Sequence, residues 1–444
     1  MILACRTILL SLALSLFAAC ASVPAPQKPF TIAVIPDTQN MVDYTHQKAE
    51  GFALEGAHQF RRQIAVIARW RDDYGQPLAF ISAVGDVWQH QTLKMDEEHR
   101  ARGFKKVRNP YFAGELKVTD RVLTEEIPLV VKNYGLFTDA GIPFGVAPGN
   151  HDHDAMWSVK EFPPDMKIDP RELRMIPEHL GMLHIGGLDN FRSAFGADSA
   201  FFANQPWYVA SHDGGASSAQ TFTAGGYTFL HIALTMQPSD EVIAWAHGVI
   251  DAHPGLPTIV STHDYLNTAG ERLANPIVDL ARVDPEQHNS AEQLWQKLLS
   301  QRDEIFLVLC GHQHAQSRRV DANVNGFEVH QVLADYQGRG QTGLDAGQPM
   351  DPRRGTPVGL GDGWFRLMEF DLSAEQPAIS VRTYSSHYEA YSSEIAEYAA
   401  WYQNYEQPQM SKEEVLAADE FSLPLPDFRQ RFGKPNLAKQ TGRQ

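Results

Sequence analysis

The chain has 444 residues, of which 43% are hydrophobic and 21% charged, and its formal net charge is −16. This length allows a large core, and the negative charge argues against a nucleic-acid-binding surface, which needs basic patches. With only three cysteines, Cys5, Cys20 and Cys310, a four-cysteine zinc site and an intramolecular disulfide framework are excluded.

The first twenty residues are typical of a bacterial secretory signal. Arg6 precedes an apolar stretch, residues 8–17, that is too short to cross a membrane. Residues 16–20 resemble a lipobox in which Cys20 is lipidated, whereas residues 19–21 also fit ordinary cleavage at an A-x-A site. We expect residues 1–20 to be a signal peptide of the lipoprotein type and residues 21–30 a linker. The expected location is the periplasm, free or membrane-anchored through Cys20.

The first half of the chain alternates predicted strands and helices. Residues 31–35 predict a buried strand because β-branched side chains dominate, and Pro36 ends it. Apolar residues at helical spacing predict a helix over roughly 56–72. A second strand is predicted over 78–84, and residues 88–124 are interpreted as an insertion. A second helix near 129–137 leads to a third strand over 142–147.

Residues 155–225 are irregular, and we expect short elements there that line a site, since structureless loops of that length are uncommon. Strands over 227–234, 258–261 and 305–309 then alternate with helices over 240–252 and 292–299. Three later runs, 327–333, 364–370 and 379–384, are predicted to form a second sheet. Residues 338–363 are glycine-rich and are either a mobile flap or disordered. Residues 389–444 predict a polar, partly helical tail.

This alternation indicates the α/β class. Polar residues follow five of the predicted strands, and such strand ends are where α/β sheets build their sites. These residues are Asp37 and Gln39, Asp86, Asn150 and His151, His263, and His312 with His314. Each motif alone is weak, but their joint occurrence predicts a metal site.

Five motifs follow these strands: Asp37-Thr38-Gln39, Gly85-Asp86, Gly149-Asn150-His151-Asp152, Thr262-His263 and Gly311-His312-Gln313-His314. In these motifs the chain resembles the calcineurin-like metallophosphoesterase family. The form of the first motif is similar to that of an exported bacterial branch. The resemblance spans 31 to about 385 and implies one domain over 31–388. The implied fold is a four-layer sandwich of two mixed β-sheets flanked by helices, with a dinuclear metal site at the carboxyl ends of the strands.

The resemblance also implies two sets of ligands that share Asp86. One divalent cation would be held by Asp37, Gln39, Asp86 and His314, and the other by Asp86, Asn150, His263 and His312. Many family members have His where this chain has Gln39. A neutral amide oxygen favours Mn²⁺, Mg²⁺ or Fe over tightly held Zn²⁺, although all four remain candidates.

The function implied is that of an exported, metal-dependent phosphoric ester hydrolase that uses a metal-bridging hydroxide as nucleophile. His151 is the expected general acid, and Asp152 either orients His151 or caps the loop. The substrate is expected to be a small phosphorylated molecule, as a monoester or a diester. The alternative is a non-catalytic, surface-anchored binding protein on the same scaffold. A hydrolase of another bond is disfavoured, because the Asn150-His151 pair suits phosphoryl chemistry.

Several further residues are candidates for extending the site, with a structural role as the alternative for each. They are His90, His153, His184, His212 and His231 as site histidines, Trp207, Tyr208 and Tyr265 as stacking platforms, and Arg192 as a second phosphate contact.

Overall fold

The computed structural model describes residues 28–76, 78–352 and 354–433. The predicted signal peptide with Cys20, most of the predicted linker and the last eleven residues of the predicted tail lie outside these residues. The strands are β1 (Phe30–Ile35), β2 (Leu78–Ala83), β3 (Lys106–Val107), β4 (Phe144–Val146), β5 (Ala155–Val159), β6 (Leu183–Gly186), β7 (Tyr208–His212), β8 (Ser217–Ala224), β9 (Tyr227–Ala233), β10 (Thr258–Ser261), β11 (Ile305–Cys310), β12 (Ala315–Ala322), β13 (Glu328–Asp335), β14 (Trp364–Asp371), β15 (Ala378–Ser385), β16 (Ala390–Tyr391) and β17 (Phe421–Pro424).

The α-helices are mostly short, and three of them have thirteen residues. They are α1 (Gln39–Val42), α2 (Gly56–Ala68), α3 (Trp70–Tyr74), α4 (Glu97–Ala101), α5 (Ile127–Asp139), α6 (Pro177–Leu180), α7 (Asp189–Phe195), α8 (Asp240–Ala252), α9 (Leu280–Val283), α10 (Ala291–Lys297), α11 (Gln341–Asp345), α12 (Tyr398–Glu406), α13 (Lys412–Asp419) and α14 (Phe428–Phe432).

Two seven-stranded mixed sheets form the centre of the molecule. The first has the order β16-β15-β14-β1-β2-β4, with β17 paired to β15, and β1, β2 and β4 run parallel. The second has the order β12-β13-β11-β10-β9-β8-β7, and β9, β10, β11 and β13 run parallel. Parallel strands carry their carboxyl ends to one edge, so each sheet presents several loops on one side.

Apolar side chains fill three layers around these sheets. Phe30 and Phe370 of the first sheet and Phe229 and Phe306 of the second belong to the cluster between the sheets. Helices α2 and α5 contribute to the cluster on the outer face of the first sheet. Helices α8 and α10 do the same for the second sheet. This arrangement confirms the predicted sandwich of two mixed sheets flanked by helices.

One predicted grouping of strands is wrong. We expected the strands near 327–333, 364–370 and 379–384 to share the second sheet, but β14 pairs antiparallel with β1 and β15 pairs with β14 in the first sheet. The register places Phe30 opposite Phe370, and their rings stack with centroids 4.8 Å apart. Packing between strands that are distant in the sequence therefore determines which sheet each strand joins, and order along the chain does not.

The irregular region carries the short elements that were predicted for it. Strands β3, β5 and β6 form a small third sheet. Residues 338–363 contain α11, and Arg339 O accepts hydrogen bonds from the amides of Leu360 and Gly361 at 2.7 and 2.8 Å. The C-terminal segment packs through α12 on Trp364 and adds β17 to the first sheet, a strand that the sequence did not predict. Among the helices of the described residues, none has the length and apolar composition needed to span a bilayer.

Candidate metal centre

Five polar side chains meet where strands of the two sheets end. Asp37 follows β1, Asp86 follows β2 and Asn150 follows β4, all in the first sheet, while His263 follows β10 and His312 follows β11 in the second. All five are buried, and none is more than 7% exposed. A site assembled from two sheets needs the whole sandwich to be folded before its donor atoms come together.

His263 lies at the centre of this group. Its Nδ1 donates to the carbonyl of Val84 at 2.8 Å, which directs Nε2 towards the other polar groups. From Nε2 the distances are 3.2 Å to Asp86 Oδ2, 3.2 Å to Asn150 Oδ1 and 3.1 Å to His312 Nδ1. Imidazoles that ligate metals have this form, with one nitrogen fixed by a carbonyl and the other free to coordinate.

The backbone around the cluster adopts conformations that most side chains avoid. Asp86 has φ +50° and His312 has φ +75°, and Gly85 has φ +110°. A Cβ at Gly85 would lie 2.6 Å from His263 Nδ1, so glycine is required there by both space and conformation. Left-handed non-glycine residues concentrate at functional sites because the surrounding structure has to hold them.

Two residues that the sequence analysis missed lie beside Asp37 and Gln39. Asp335 ends β13 and is fully buried, and its carboxylate accepts from the amide and the side chain of Gln337 at 2.8 and 3.2 Å. Gln337 in turn contacts the side chain of Gln39 and lies 3.4 Å from Asp37 Oδ2. The signal was present, since Asp335-Tyr336-Gln337 repeats the Asp-x-Gln spacing of the first motif after another apolar strand.

Negative charge is in excess in this buried space. Burial, together with the neighbouring Asp335, raises the pKa of Asp37 well above its usual range. Burial alone would lower the pKa of His263, but Asp86 and Asp37 raise it well above the ordinary value. Burial and then His263 lower the pKa of His312 to about 3, which leaves this imidazole neutral at neutral pH. Cations bound here would replace the His263 proton as the charge that balances Asp37 and Asp86.

The donor set fits divalent cations. Two of its atoms, Gln39 Oε1 and His312 Nε2, are buried and have no hydrogen-bond partner in the part of the chain that the structure describes. Leaving such atoms unpaired costs about 1–3 kcal/mol each. Donor atoms of Asp86, His263 and His312 lie within 4.8 Å of one another. Carboxylate, amide and imidazole donors together suit Mn²⁺, Mg²⁺, Fe or Zn²⁺. Two coordinated cations would satisfy these atoms, one by binding Gln39 and the other by binding His312.

His151 and Asp152 lie next to the cluster. The His151 amide donates to Asp86 Oδ1 at 2.8 Å, and its Nδ1 lies 2.7 Å from the carbonyl of Gln89. Asp152 is fully buried and accepts from the amides of Val87 and Gly149, each at 2.8 Å. Its carboxylate thus caps the loop, as in the second of the two expected roles, and Gln89 orients the His151 ring. Burial and then Asp86 raise the pKa of Asp152 to about 7.

His314 differs from the other predicted ligands because its side chain is exposed. It lines a cavity of about 540 Å³. The remaining lining residues are Asn40, Asp43, Thr45, His46, Gln89, His90, Gly114, Glu115, Lys117, Gly338, Asp351, Arg354, Thr356, Pro357, Val358, Gly359, Tyr405 and Glu406. Asn40 follows Gln39, Gly338 follows Gln337 and Gln89 holds His151, so this cavity adjoins the metal cluster.

The other candidate residues take several positions. His90 lines the cavity, and its Nδ1 lies 2.7 Å from Glu126, which is fully buried. His231 lies in the core between the sheets, and Tyr265 donates to Gln331 Oε1 at 2.8 Å on the far side of the second sheet. The rest are held by neighbours: Trp207 and Tyr208 by Phe202, Arg192 by Asp189 and Asp213, His212 by Glu241, His153 by the carbonyl of Gly149, and His184 by stacking on Trp157.

Comparisons with known proteins give limited similarity. No family model matches the chain. Over 262 residues it is 24% identical to the uncharacterized protein YvnB of Bacillus subtilis (strain 168). The aligned segment makes up 58% of this chain and 15% of that relative. Two solved structures are similar. A dimetal phosphatase from Danio rerio is 12% identical with a TM-score of 0.37, and the match covers 81% of this chain and 97% of that one. GAP50, the anchor in the inner membrane complex of Plasmodium, is 11% identical with a TM-score of 0.34, and the match covers 82% of this chain and 86% of that one.

Proposed function

We propose that the chain is a metal-dependent phosphoric ester hydrolase of the calcineurin-like kind, acting on small phosphorylated molecules. The observation that carries the proposal is the convergence of Asp37, Asp86, Asn150, His263 and His312 at strand ends of both sheets, around the Nε2 atom of His263. Gln39 would complete one set of ligands from the side of Asp37. His314 would join it only if its exposed ring turned inward from the cavity wall.

Asp86 is the proposed shared ligand because its Oδ2 lies near one residue of each proposed ligand set. Oδ2 lies 3.2 Å from both His263 Nε2 and Gln39 Nε2, while Oδ1 is held by the His151 amide at 2.8 Å. Two divalent cations bound there would polarise a phosphoryl oxygen and ease the ionisation of a water molecule. The protein's part is to fix the donors so that little reorganisation accompanies the reaction.

His151 is the proposed general acid. The Gln89 carbonyl can only accept, so it keeps a proton on Nδ1 and leaves Nε2 to carry the proton that a leaving oxygen takes up. The Asp86 contact fixes the backbone of His151 beside the cluster. Asp152 would act on this residue through the loop, by holding the amides of Val87 and Gly149.

The adjoining cavity sets the expected size of the leaving group. Its volume of about 540 Å³ would accept a nucleotide-sized or sugar-sized group. Lys117 and Arg354 lie on its wall together with four carboxylates, Asp43, Glu115, Asp351 and Glu406. The negative charge of a phosphate ester would therefore be compensated mainly by the bound cations of the adjoining centre.

The test is hydrolysis of synthetic aryl and alkyl phosphate esters with Mn²⁺ present. We expect chelation to abolish hydrolysis, Mn²⁺ to restore it and Asp86→Asn to lose both metal and activity. His151→Asn should cost about 10²–10⁴-fold on an alkyl leaving group and much less on nitrophenolate, which leaves without a proton. His58→Asn, at an exposed histidine of α2, is the matched control.

Two outcomes would contradict the proposal. An equal loss on both leaving groups in His151→Asn would remove the general-acid role. A folded protein that binds two cations and hydrolyses none of the esters would favour the alternative, a binding protein on the same scaffold.

We also propose that the protein is exported and anchored to a membrane through Cys20, a proposal supported by the apolar leader and by residues 16–20. In cells expressing the whole chain, labelled fatty acid should enter the wild-type protein and not Cys20→Ser. Labelling of neither, with a mature form that begins after residue 21, would support ordinary cleavage instead.

A further inference from the structure

A second group of buried histidine and aspartate side chains lies away from the strand-end cluster, where the insertion meets the segment after α9. It comprises His99 in α4, His184 in β6 and Asp284, and we call it the His99–His184–Asp284 cluster. One donor atom from each residue lies within 4.8 Å of the other two. All three are buried, with exposures of 6%, 0% and 4%.

His99 is oriented as a ligand. Its Nδ1 lies 2.8 and 3.0 Å from the two oxygens of Asp96, so it donates to that carboxylate and leaves the lone pair of Nε2 free. The N-cap of α4 fixes Asp96 in turn, since its side chain accepts from the His99 amide at 2.9 Å. A carboxylate behind the imidazole fixes the ring and raises its basicity, as it does behind many zinc-bound histidines.

His184 supplies an independent observation that points to a ligand. Among the described residues, its buried Nε2 has no hydrogen-bond partner, and it lies 3.6 Å from Asp284 Oδ2, beyond hydrogen-bond reach. Its ring packs against Trp157 at a centroid distance of 5.0 Å and against His99 at 4.7 Å. An orphaned imidazole nitrogen pointing towards a carboxylate is the arrangement that a cation between them would resolve.

A third imidazole stands beside the cluster. His288 Nδ1 lies 3.0 Å from the carbonyl of Gln237, which again leaves Nε2 free, and its ring centroid is 5.8 Å from that of His184. Three imidazoles and one carboxylate make a four-donor set of the kind that surrounds structural Zn²⁺.

We propose that the His99–His184–Asp284 cluster binds one divalent cation of the zinc class, with His288 as the fourth donor. Coordination through His184 Nε2 moves its ring proton to Nδ1, so the 2.9 Å contact of Nδ1 with the Ile185 amide must open. With four protein donors and no open position, the cation would have a structural role: it would join α4 and β6 to the segment after α9.

The alternative is a polar network without a cation. Arg102 Nη2 donates to both oxygens of Asp284 at 2.6 Å and compensates its charge. The alternative explains the carboxylate, but it gives His184 Nε2 no partner within residues 28–76, 78–352 and 354–433.

The experiment counts Zn²⁺ in the full chain by elemental analysis after metal removal, reloading and gel filtration. The wild type should hold one equivalent more than His99→Gln, and His58→Gln should match the wild type. Reloading with Co²⁺ should give the strong visible absorption of a tetrahedral site, which His99→Gln should lose. Because the cluster is separate from the centre proposed for hydrolysis, Asp86→Asn should keep this absorption and His99→Gln should keep the esterase activity.

Equal metal counts in the wild type and a folded His99→Gln would overturn the proposal. If the variant fails to fold, the wild type alone decides, because reloaded protein without tetrahedral Co²⁺ absorption would equally overturn it. Failure of the proposed function would look different: esterase activity would be absent while the extra equivalent and its absorption remained.

Discussion

Replacing Gly149 by alanine should damage the metal centre directly. A Cβ at this position would lie within 3.0 Å of three atoms, among them the Asp86 amide nitrogen at 2.5 Å and His263 Cε1 at 2.7 Å. The first is backbone and the second belongs to a ring fixed by Val84, so neither can move away cheaply. Overpacking of this kind costs about 1–3 kcal/mol of stability. Displacing Asp86 by roughly 1 Å should lower kcat/KM about 10²-fold.

The same substitution elsewhere in the chain is the control. Gly135 lies inside α5, and a Cβ there meets nothing within 4 Å. Gly135→Ala should therefore stabilise the protein by about 0.5–1 kcal/mol through helix propensity and leave hydrolysis unchanged. Urea unfolding would give the stabilities, and initial rates with Mn²⁺ on an aryl ester would give kcat/KM. A Gly149→Ala protein with wild-type stability and a rate within threefold of wild type would refute the reasoning.

Two more predictions concern buried charge. Burial lowers the pKa of His231 to about 3, so between pH 6.5 and about 3 the unfolded chain binds a proton that the folded chain does not. This residue should make stability fall by about 1.4 kcal/mol per pH unit as the pH drops through that window. Urea unfolding across the window should give a shallower slope for His231→Gln, and identical slopes would contradict the assignment. Arg339, fully buried, pairs with Glu406 at 2.8 Å, so Arg339→Met should cost about 3–5 kcal/mol by leaving the buried Glu406 without its cation, while Asp419 keeps Arg366 at 3.3 Å. Arg382→Met, which breaks the partly exposed pair with Glu420, should cost less than about 1 kcal/mol; equal costs in the two variants would show that burial is not decisive.

The strand-end residues could be predicted because their signal is local. Asp37, Asp86, Asn150 and His263 each follow an apolar run within a few residues, and parallel strands bring such ends to a common edge. Asp335 carries the same signal but was not recognised as a site residue, since nothing in the sequence showed that β13 lies beside β11. Local pattern identifies a strand, and only tertiary packing assigns its neighbours.

The parts that could not be predicted depend on contacts between distant residues. His99 and Asp284 are 185 positions apart and share no motif, so their proximity follows from the way α4 and the segment after α9 pack against β6. The pairing of β17 with β15 is similar, because Phe421–Pro424 is too short to signal a strand and ends in proline. The exposure of His314 could not be predicted from the sequence either, since it depends on where the chain turns after β11.

The account depends most on the claim that folding gathers these donors into one dinuclear centre. Anomalous diffraction at the manganese edge, from crystals of the Mn²⁺-loaded protein, measures this directly. The account predicts two peaks roughly 3.5–4 Å apart, both in contact with the carboxylate of Asp86. A single peak near Asp86, or two peaks without a shared contact there, would contradict it.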